Sequence, residues 1–253
     1  VCGELPHGGH VILEGLELTG LRAKELAKRV SYIPQQSGIS ISMSALDVVL
    51  MGFYSRLKLF EQPSAKMREA ALQALASVGM DDFANRDYLT LSGGEQQLVI
   101  LARTLIEDTS LLLFDEPDSS LDLGNKYRMM GLIADIVHAA RGSGGSVSRT
   151  CFFSPEEGSE TDTVLDMPYL QSENAFAGKT AILCLHDPTL ALAYCDILLL
   201  LKDGRLIHTL HPKTDPIAVM EQAFSDIYGE VRLVPVPDPS NCAGNRLILL
   251  PIL

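Results

Sequence analysis

The chain has 253 residues, 47% of them hydrophobic, enough to bury a full core as one large domain or two small ones. A formal net charge of −12 argues against nucleic acid as the main partner, because a phosphate-binding surface is basic. The longest apolar runs, such as 197–201 and 247–253, are far shorter than the roughly 20 residues of a spanning helix, and no signal peptide opens the sequence; it reads as a soluble protein whose membrane association comes through a partner.

Along the chain, residues 10–15 (His-Val-Ile-Leu-Glu-Gly) predict a short strand ending in a turn, 24–29 a helix, and 30–34 a strand stopped by Pro34. From Met43 to Asp108 the pattern is helical, with apolar residues three and four apart over 45–52, 64–78 and 95–107. Residues 111–114 and 180–185 are continuous apolar runs, the pattern of parallel strands covered on both faces. Residues 123–140 between them predict a crossover helix, giving an α/β order. Residues 141–178, rich in Gly, Ser, Glu and Thr, read as a surface insertion or mobile loop. Beyond Leu210 come a helix over 216–228 and strands over 230–236 and 246–250, a small terminal hairpin. The cysteines Cys2, Cys151, Cys184, Cys195 and Cys242 are odd in number and lack metal-ligand spacing, as expected of reduced thiols in a cytoplasm.

Three places could carry chemistry. Ser92-Gly93-Gly94-Glu95 has capping-box spacing, and by itself S-x-x-E is most often only a helix start. Here two glycines bare the backbone amides at that terminus, an anion site reinforced by the helix dipole. Asp115 and Glu116 end an apolar strand halted by Pro117, where ligand sites of open α/β sheets lie. A carboxylate there can hold Mg²⁺ through its water shell, and Glu116 can orient and deprotonate a water. The plainer reading is two carboxylates closing a buried strand. His186 ends the next strand, before Asp187-Pro188; a lone His is more often structural.

Residues 91–97 (Leu-Ser-Gly-Gly-Glu-Gln-Gln), 111–117 (Leu-Leu-Leu-Phe-Asp-Glu-Pro), Ser119-Ser120-Leu121-Asp122 and Leu185-His186-Asp187 occur in that order. They resemble the signature motif, Walker B strand, D-loop and switch histidine of an ATP-binding cassette (ABC) ATPase. The resemblance implies a RecA-like P-loop NTPase core with an incomplete sheet, an inserted α-helical subdomain and a small C-terminal hairpin extension. It places the core at 1–42 and 111–210, the helical subdomain at 43–110 and the extension at 211–253. It implies ATP and Mg²⁺ as cofactors, with Ser92, Gly93, Gly94 and Glu95 touching the γ-phosphate of ATP held on the opposite subunit, and Asp122 in the loop that crosses the dimer interface. Asp115 takes the metal role, Glu116 the base, and His186 the γ-phosphate contact. Gln35, after Tyr32-Ile33-Pro34, resembles the Q-loop glutamine that contacts metal and water, with Gln36 as the neighbouring alternative. Leu98 stands where the family usually has a basic residue.

The sequence contains no Gly-x-x-x-x-Gly-Lys-Ser/Thr phosphate loop. Gly178-Lys179-Thr180 imitates its end, but position 173 is Glu and a strand follows rather than a helix. The expectation is a piece of a longer reading frame or a truncated product, with central strands short of hydrogen-bond partners. The alternative is a short form without ATPase activity. Met51-Gly52-Phe53-Tyr54, Gly79-Met80, Phe83-Ala84-Asn85-Arg86 and the tail Ile227-Tyr228-Gly229-Glu230-Val231 resemble importers of iron–siderophore complexes, haem and cobalamin. A zinc or manganese importer stays open, as does a catalytically silent module; a ribosome- or DNA-directed ABC ATPase fits the acidic balance poorly. The implied partners are a second ATPase subunit, a polytopic permease and, indirectly, a substrate-binding protein, at the inner face of the cell membrane. Met51, Phe53, Tyr54 and Leu57 are candidates for the groove that receives the permease, or ordinary core.

Overall fold

A computed structural model describes residues 10–35, 37–58, 60–119, 121–139, 179–237 and 245–252. These divide into two compact units, 10–184 and 185–252.

The first unit opens with a hairpin, β1 (Ile12–Leu13) and β2 (Leu16–Glu17), where the sequence predicts one strand. Glu14 and Gly15 both take positive φ, 52° and 77°, the signature of a two-residue turn whose twist matches the strands. The Glu17 carboxylate accepts the amides of Thr19 (3.1 Å) and Val11 (3.2 Å) and faces His10. These bonds, Thr19 foremost, hold its pKa down at about 2. The helix predicted over 24–29 is one turn, α1 (Ala23–Leu26); its N-cap, Arg22, offers no side-chain acceptor. β3 (Val30–Ile33) stops before Pro34, whose ring nitrogen has no proton to give a ladder.

Three helices come next: α2 (Ala45–Leu50), α3 (Ala65–Ser77) and α4 (Gly93–Glu107). Each is capped by a serine, Ser44, Ser64 or Ser92, whose hydroxyl accepts the amide three residues on. They pack on one another through Val48, Val49, Ala71, Leu75, Val99, Ala102 and Ile106, all fully buried. α2 ends earlier than predicted, passing into a 3-10 turn over Met51–Phe53. Gly52 allows that turn to lie on α4: a Cβ there would fall 2.7 Å from the Arg103 carbonyl oxygen. Of the four residues proposed for a permease groove, Phe53 and Leu57 are core, Met51 is half-buried and Tyr54 is exposed.

β3, β4 (Leu111–Asp115) and β5 (Thr180–Cys184) form a parallel sheet in the order β3-β4-β5, with Ile33, Phe114 and Leu183 in register. α5 (Leu123–Ala139) lies between β4 and β5 in the chain, the crossover a parallel pair requires. β4 is covered as predicted, but β5 is not: exposed and half-buried residues alternate along it, and Ile182 is 51% exposed. Apolarity read from sequence reports what a strand can bury, while coverage depends on the layers placed over it. Among the described residues β5 has a strand neighbour on one edge only.

The second unit has its own core. α6 (Pro188–Tyr194), β6 (Leu198–Lys202), β7 (Arg205–Leu210), α7 (Ile217–Tyr228), β8 (Val231–Pro237) and β9 (Asn245–Pro251) surround Leu192, Leu198, Leu210, Met220, Phe224 and Leu233. The β6–β7 hairpin, turned at Asp203-Gly204 with φ of 51° and 73°, has no counterpart in the predicted elements. The terminal hairpin β8–β9 is antiparallel throughout, from Val231 opposite Pro251 to Pro237 opposite Asn245. No helix among the described residues is long and apolar enough to cross a membrane. The 141–178 segment, Gln36, Ser120, Cys2, Cys151 and Cys242 lie outside the described residues.

Candidate functional site

The carboxyl ends of β3 and β4 lie side by side because the two strands run parallel in register, so the residues just beyond Ile33 and Phe114 are brought together. Gln35 and Glu116 meet there: Gln35 Nε2 donates to Glu116 Oε2 at 2.8 Å and to Ser119 Oγ at 3.2 Å. Glu116 has a φ of 48°, left-handed and costly for a residue with a Cβ, on the order of 1–3 kcal/mol. Its amide donates to the Cys184 carbonyl at 3.2 Å, which ties the strained residue to the end of β5. Asp115 is half-buried, and Tyr32 Oη donates to its Oδ2 at 3.1 Å.

At the other candidate locus α4 starts with both halves of a capping box. The Ser92 amide donates to Glu95 Oε2 at 2.7 Å and the Glu95 amide to Ser92 Oγ at 3.4 Å. The Ser92 amide, then its hydroxyl, holds the Glu95 carboxyl below its ordinary range. Ser92 and Gly93 lie at this terminus, and Gly94 is half-buried near Leu121 and Asn125. Asp122 is engaged locally, accepting the amide of Asn125 (2.8 Å) and its side-chain amide (3.1 Å) at the start of α5. His186 opens the second unit, between β5 and α6 in the chain. Its neighbour Asp187 caps α6 by accepting the amides of Thr189 and Leu190.

Lys179 is buried, with Nζ 3.0 Å from Asp108 Oδ1 and 3.0 Å from the Thr109 carbonyl oxygen. It therefore clips the left-handed end of α4 to the start of β5, a structural post for the residue that imitates a phosphate-loop lysine. Burial lowers its pKa, against the pull of Asp108.

Three further groups make contacts here that motif reading does not assign, although Ser119 lies in the D-loop-like segment and Gln97 in the signature-like one. Tyr32 sits on Asp115, Ser119 shares the Gln35 amide, and Gln97, 6% exposed, donates from Nε2 to the Gln35 carbonyl at 2.9 Å. The usable signal for Gln97 is an amide among apolar neighbours, Leu98 to Ala102.

The donor set at Asp115 and Gln35, carboxylate and amide oxygen, suits Mg²⁺, which takes one or two protein oxygens and keeps its waters. No group of three or more His, Cys, Asp or Glu side chains gathers among the described residues as a transition-metal site would need.

The family profile described as ABC transporter matches residues 1–119. The hemin import ATP-binding protein HmuV of Deinococcus radiodurans is 31% identical over 247 residues, covering 96% of this chain and 77% of that protein. An ABC transporter ATP-binding protein of Haemophilus influenzae is 37% identical over 131 residues, 52% of this chain and 50% of that one. The chain thus spans half the length of the Haemophilus relative. Among solved structures, a chain described as part of a metal-chelate type ABC transporter in an inward-facing conformation superposes with a TM-score of 0.64 at 21% identity. The match covers 89% of this chain and 73% of that one, and it shares the fold of a parallel sheet flanked by helices.

Proposed function

The chain belongs to the family of ABC transporter ATP-binding proteins, and from that premise we propose that it is the ATP-hydrolysing subunit of an importer that takes up a metal chelate through a membrane permease. The observation that carries the reading is the hydrogen bond from Gln35 to Glu116 at the strained end of β4. Left-handed conformations on residues with a Cβ cluster at active sites, where the surrounding structure maintains them.

In this reading Glu116 orients a water and accepts its proton at a carboxylate oxygen, while Gln35 holds that carboxylate in place. Asp115 and the Gln35 amide oxygen would hold Mg²⁺, in part through water, and the ion would supply positive charge against the phosphate oxygens. Ser92, Gly93, Gly94, Glu95 and Asp122 face nucleotide bound by a second copy of the subunit, with backbone amides at the α4 terminus as donors. His186 contacts the γ-phosphate. Residues 43–110 act as the helical subdomain, 1–42 and 111–210 as the core and 211–253 as an extension. The partners are a second ATPase subunit, a polytopic permease and, through it, a substrate-binding protein, at the inner face of the membrane. The metal-chelate assignment is supported by the HmuV similarity along nearly the whole chain and by Met51-Gly52-Phe53-Tyr54.

The test is Glu116→Gln in the chain joined to a relative's phosphate-loop segment. ATP binding stays near the parent value while turnover falls roughly 10²–10⁴-fold, the usual share of a general base. Near-parent turnover would remove Glu116 from the role of base.

A further inference from the structure

We propose that Gln97 is a positioning residue for the Gln35–Glu116 pair, and that through it α4 and the carboxylate are mechanically linked; this rests on the catalytic reading of that pair. Gln97 lies in the second turn of the helix that begins at Ser92-Gly93-Gly94. It is 6% exposed and is followed by Leu98, Val99, Ile100, Leu101 and Ala102, all buried. A primary amide so placed must find hydrogen-bond partners or carry a desolvation cost. Its Nε2 finds the main-chain carbonyl of Gln35 at 2.9 Å, across 62 positions of sequence.

That carbonyl lies two residues past the end of β3, outside the sheet ladder. β3 ends at Ile33, Pro34 offers no proton to a neighbour, and the Gln35 side chain is exposed. An exposed glutamine samples several rotamers about three torsions, and confining it costs entropy. By fixing the backbone from which that side chain springs, Gln97 confines the reach of the Gln35 amide to the place where it meets Glu116 Oε2 and Ser119 Oγ. The path from Gln97 Nε2 to the Gln35 carbonyl, and from Gln35 Nε2 to Glu116, joins the element bearing the Ser92 anion site to the candidate base. A shift of α4 along its axis therefore moves Gln35 relative to Glu116. A glutamine serving only to fill the core would need a partner of its own, and any buried carbonyl would satisfy it; this one holds the residue on which the carboxylate depends.

The experiment uses side-chain amide NMR on the 253-residue chain, comparing wild type with Gln97→Met, which keeps the length and loses the donor, and Gln97→Glu, which keeps the shape and loses it. The Gln35 side-chain amide is expected to loosen in both, its order parameter dropping below about 0.6 and its exchange with water rising on the order of tenfold. The main-chain amides of Val99 and Ile106 should keep their protection within about twofold, because global packing is unchanged. An unaltered Gln35 amide in either folded variant overturns the proposal. So does an equal loss of protection at Val99 and Ile106, which would make Gln97 a packing residue. The two readings fail separately: a loosened Gln35 alongside unchanged turnover in Glu116→Gln keeps the strut and discards the base.

Discussion

The helical region and strand β5 are both apolar in sequence, yet they end in opposite states. In α2, α3 and α4 the apolar stripes close on one another, and Val49, Leu75, Val99 and Ile106 are fully buried. In β5 the run Ala181-Ile182-Leu183 leaves Ile182 half in solvent, with a strand on one edge only among the described residues. A helix satisfies its backbone internally and needs one apolar face covered, which two nearby helices in sequence supply. A parallel strand needs its strand neighbours and the layers over its two faces from distant parts of the chain. Local segments can cover the first kind of element, whereas coverage of the second depends on remote ones.

That contrast can be broken most sharply with nucleotide. α4 offers a capped terminus with two glycine amides, but no phosphate-loop motif occurs in the sequence to present ATP to it. Titration calorimetry of the 253-residue chain with Mg·ATP should show nothing tighter than about millimolar, about −4 kcal/mol. ATP-dependent dimers on a sizing column should be missing as well. Micromolar binding would mean that other residues supply the cradle, with Lys179 the first candidate among them.

In stability the two regions should separate by several-fold. Leu75→Ala in the closed helical core should cost about 2–5 kcal/mol in urea unfolding, whereas Ile182→Thr on β5 should stay within about 0.5 kcal/mol, as for an exposed position. Equal costs would show that β5 is covered in solution. Between these lies Lys179→Met, which removes two bonds of a charged, buried donor and should cost about 1.5–3 kcal/mol without altering nucleotide affinity; a selective loss of nucleotide binding instead would return it to the site.

A smaller effect sharpens the picture of the α4 start. Ser92→Ala should cost about 1 kcal/mol. Glu95 adds a pH signature: its folded pKa is depressed by the Ser92 amide and hydroxyl. Its contribution is therefore present above the ordinary carboxylate pKa, about 4.3, and lost as pH falls through the folded value. The stability gap between wild type and Glu95→Gln should accordingly shrink on acidification below that range. A gap that is flat from neutral to acid pH would mean the box is not formed in solution.

Much of the architecture was legible because its causes are local. The period of apolar residues located α3 and α4, Ser92 and Glu95 announced the cap, Pro34 and Pro117 marked where β3 and β4 stop, and the order of motifs pointed to the family. The β6–β7 hairpin was less visible, since four consecutive leucines carry no alternation to read. The hairpin at Glu14-Gly15 was hidden because a strand of two residues has no period. The candidate site was legible as residue types and not as a constellation. Sequence named Gln35, Asp115 and Glu116. The left-handed backbone of Glu116, the Tyr32 hydroxyl on Asp115, the clip of Lys179 on Asp108 and the grip of Gln97 on the Gln35 carbonyl arise only when β3, β4, β5 and α4 are assembled. Local propensity acts over a few residues and is written in neighbouring letters; a hydrogen bond spanning 62 positions, like the exposure of one face of β5, is fixed by which elements pack together, and only the folded chain decides that.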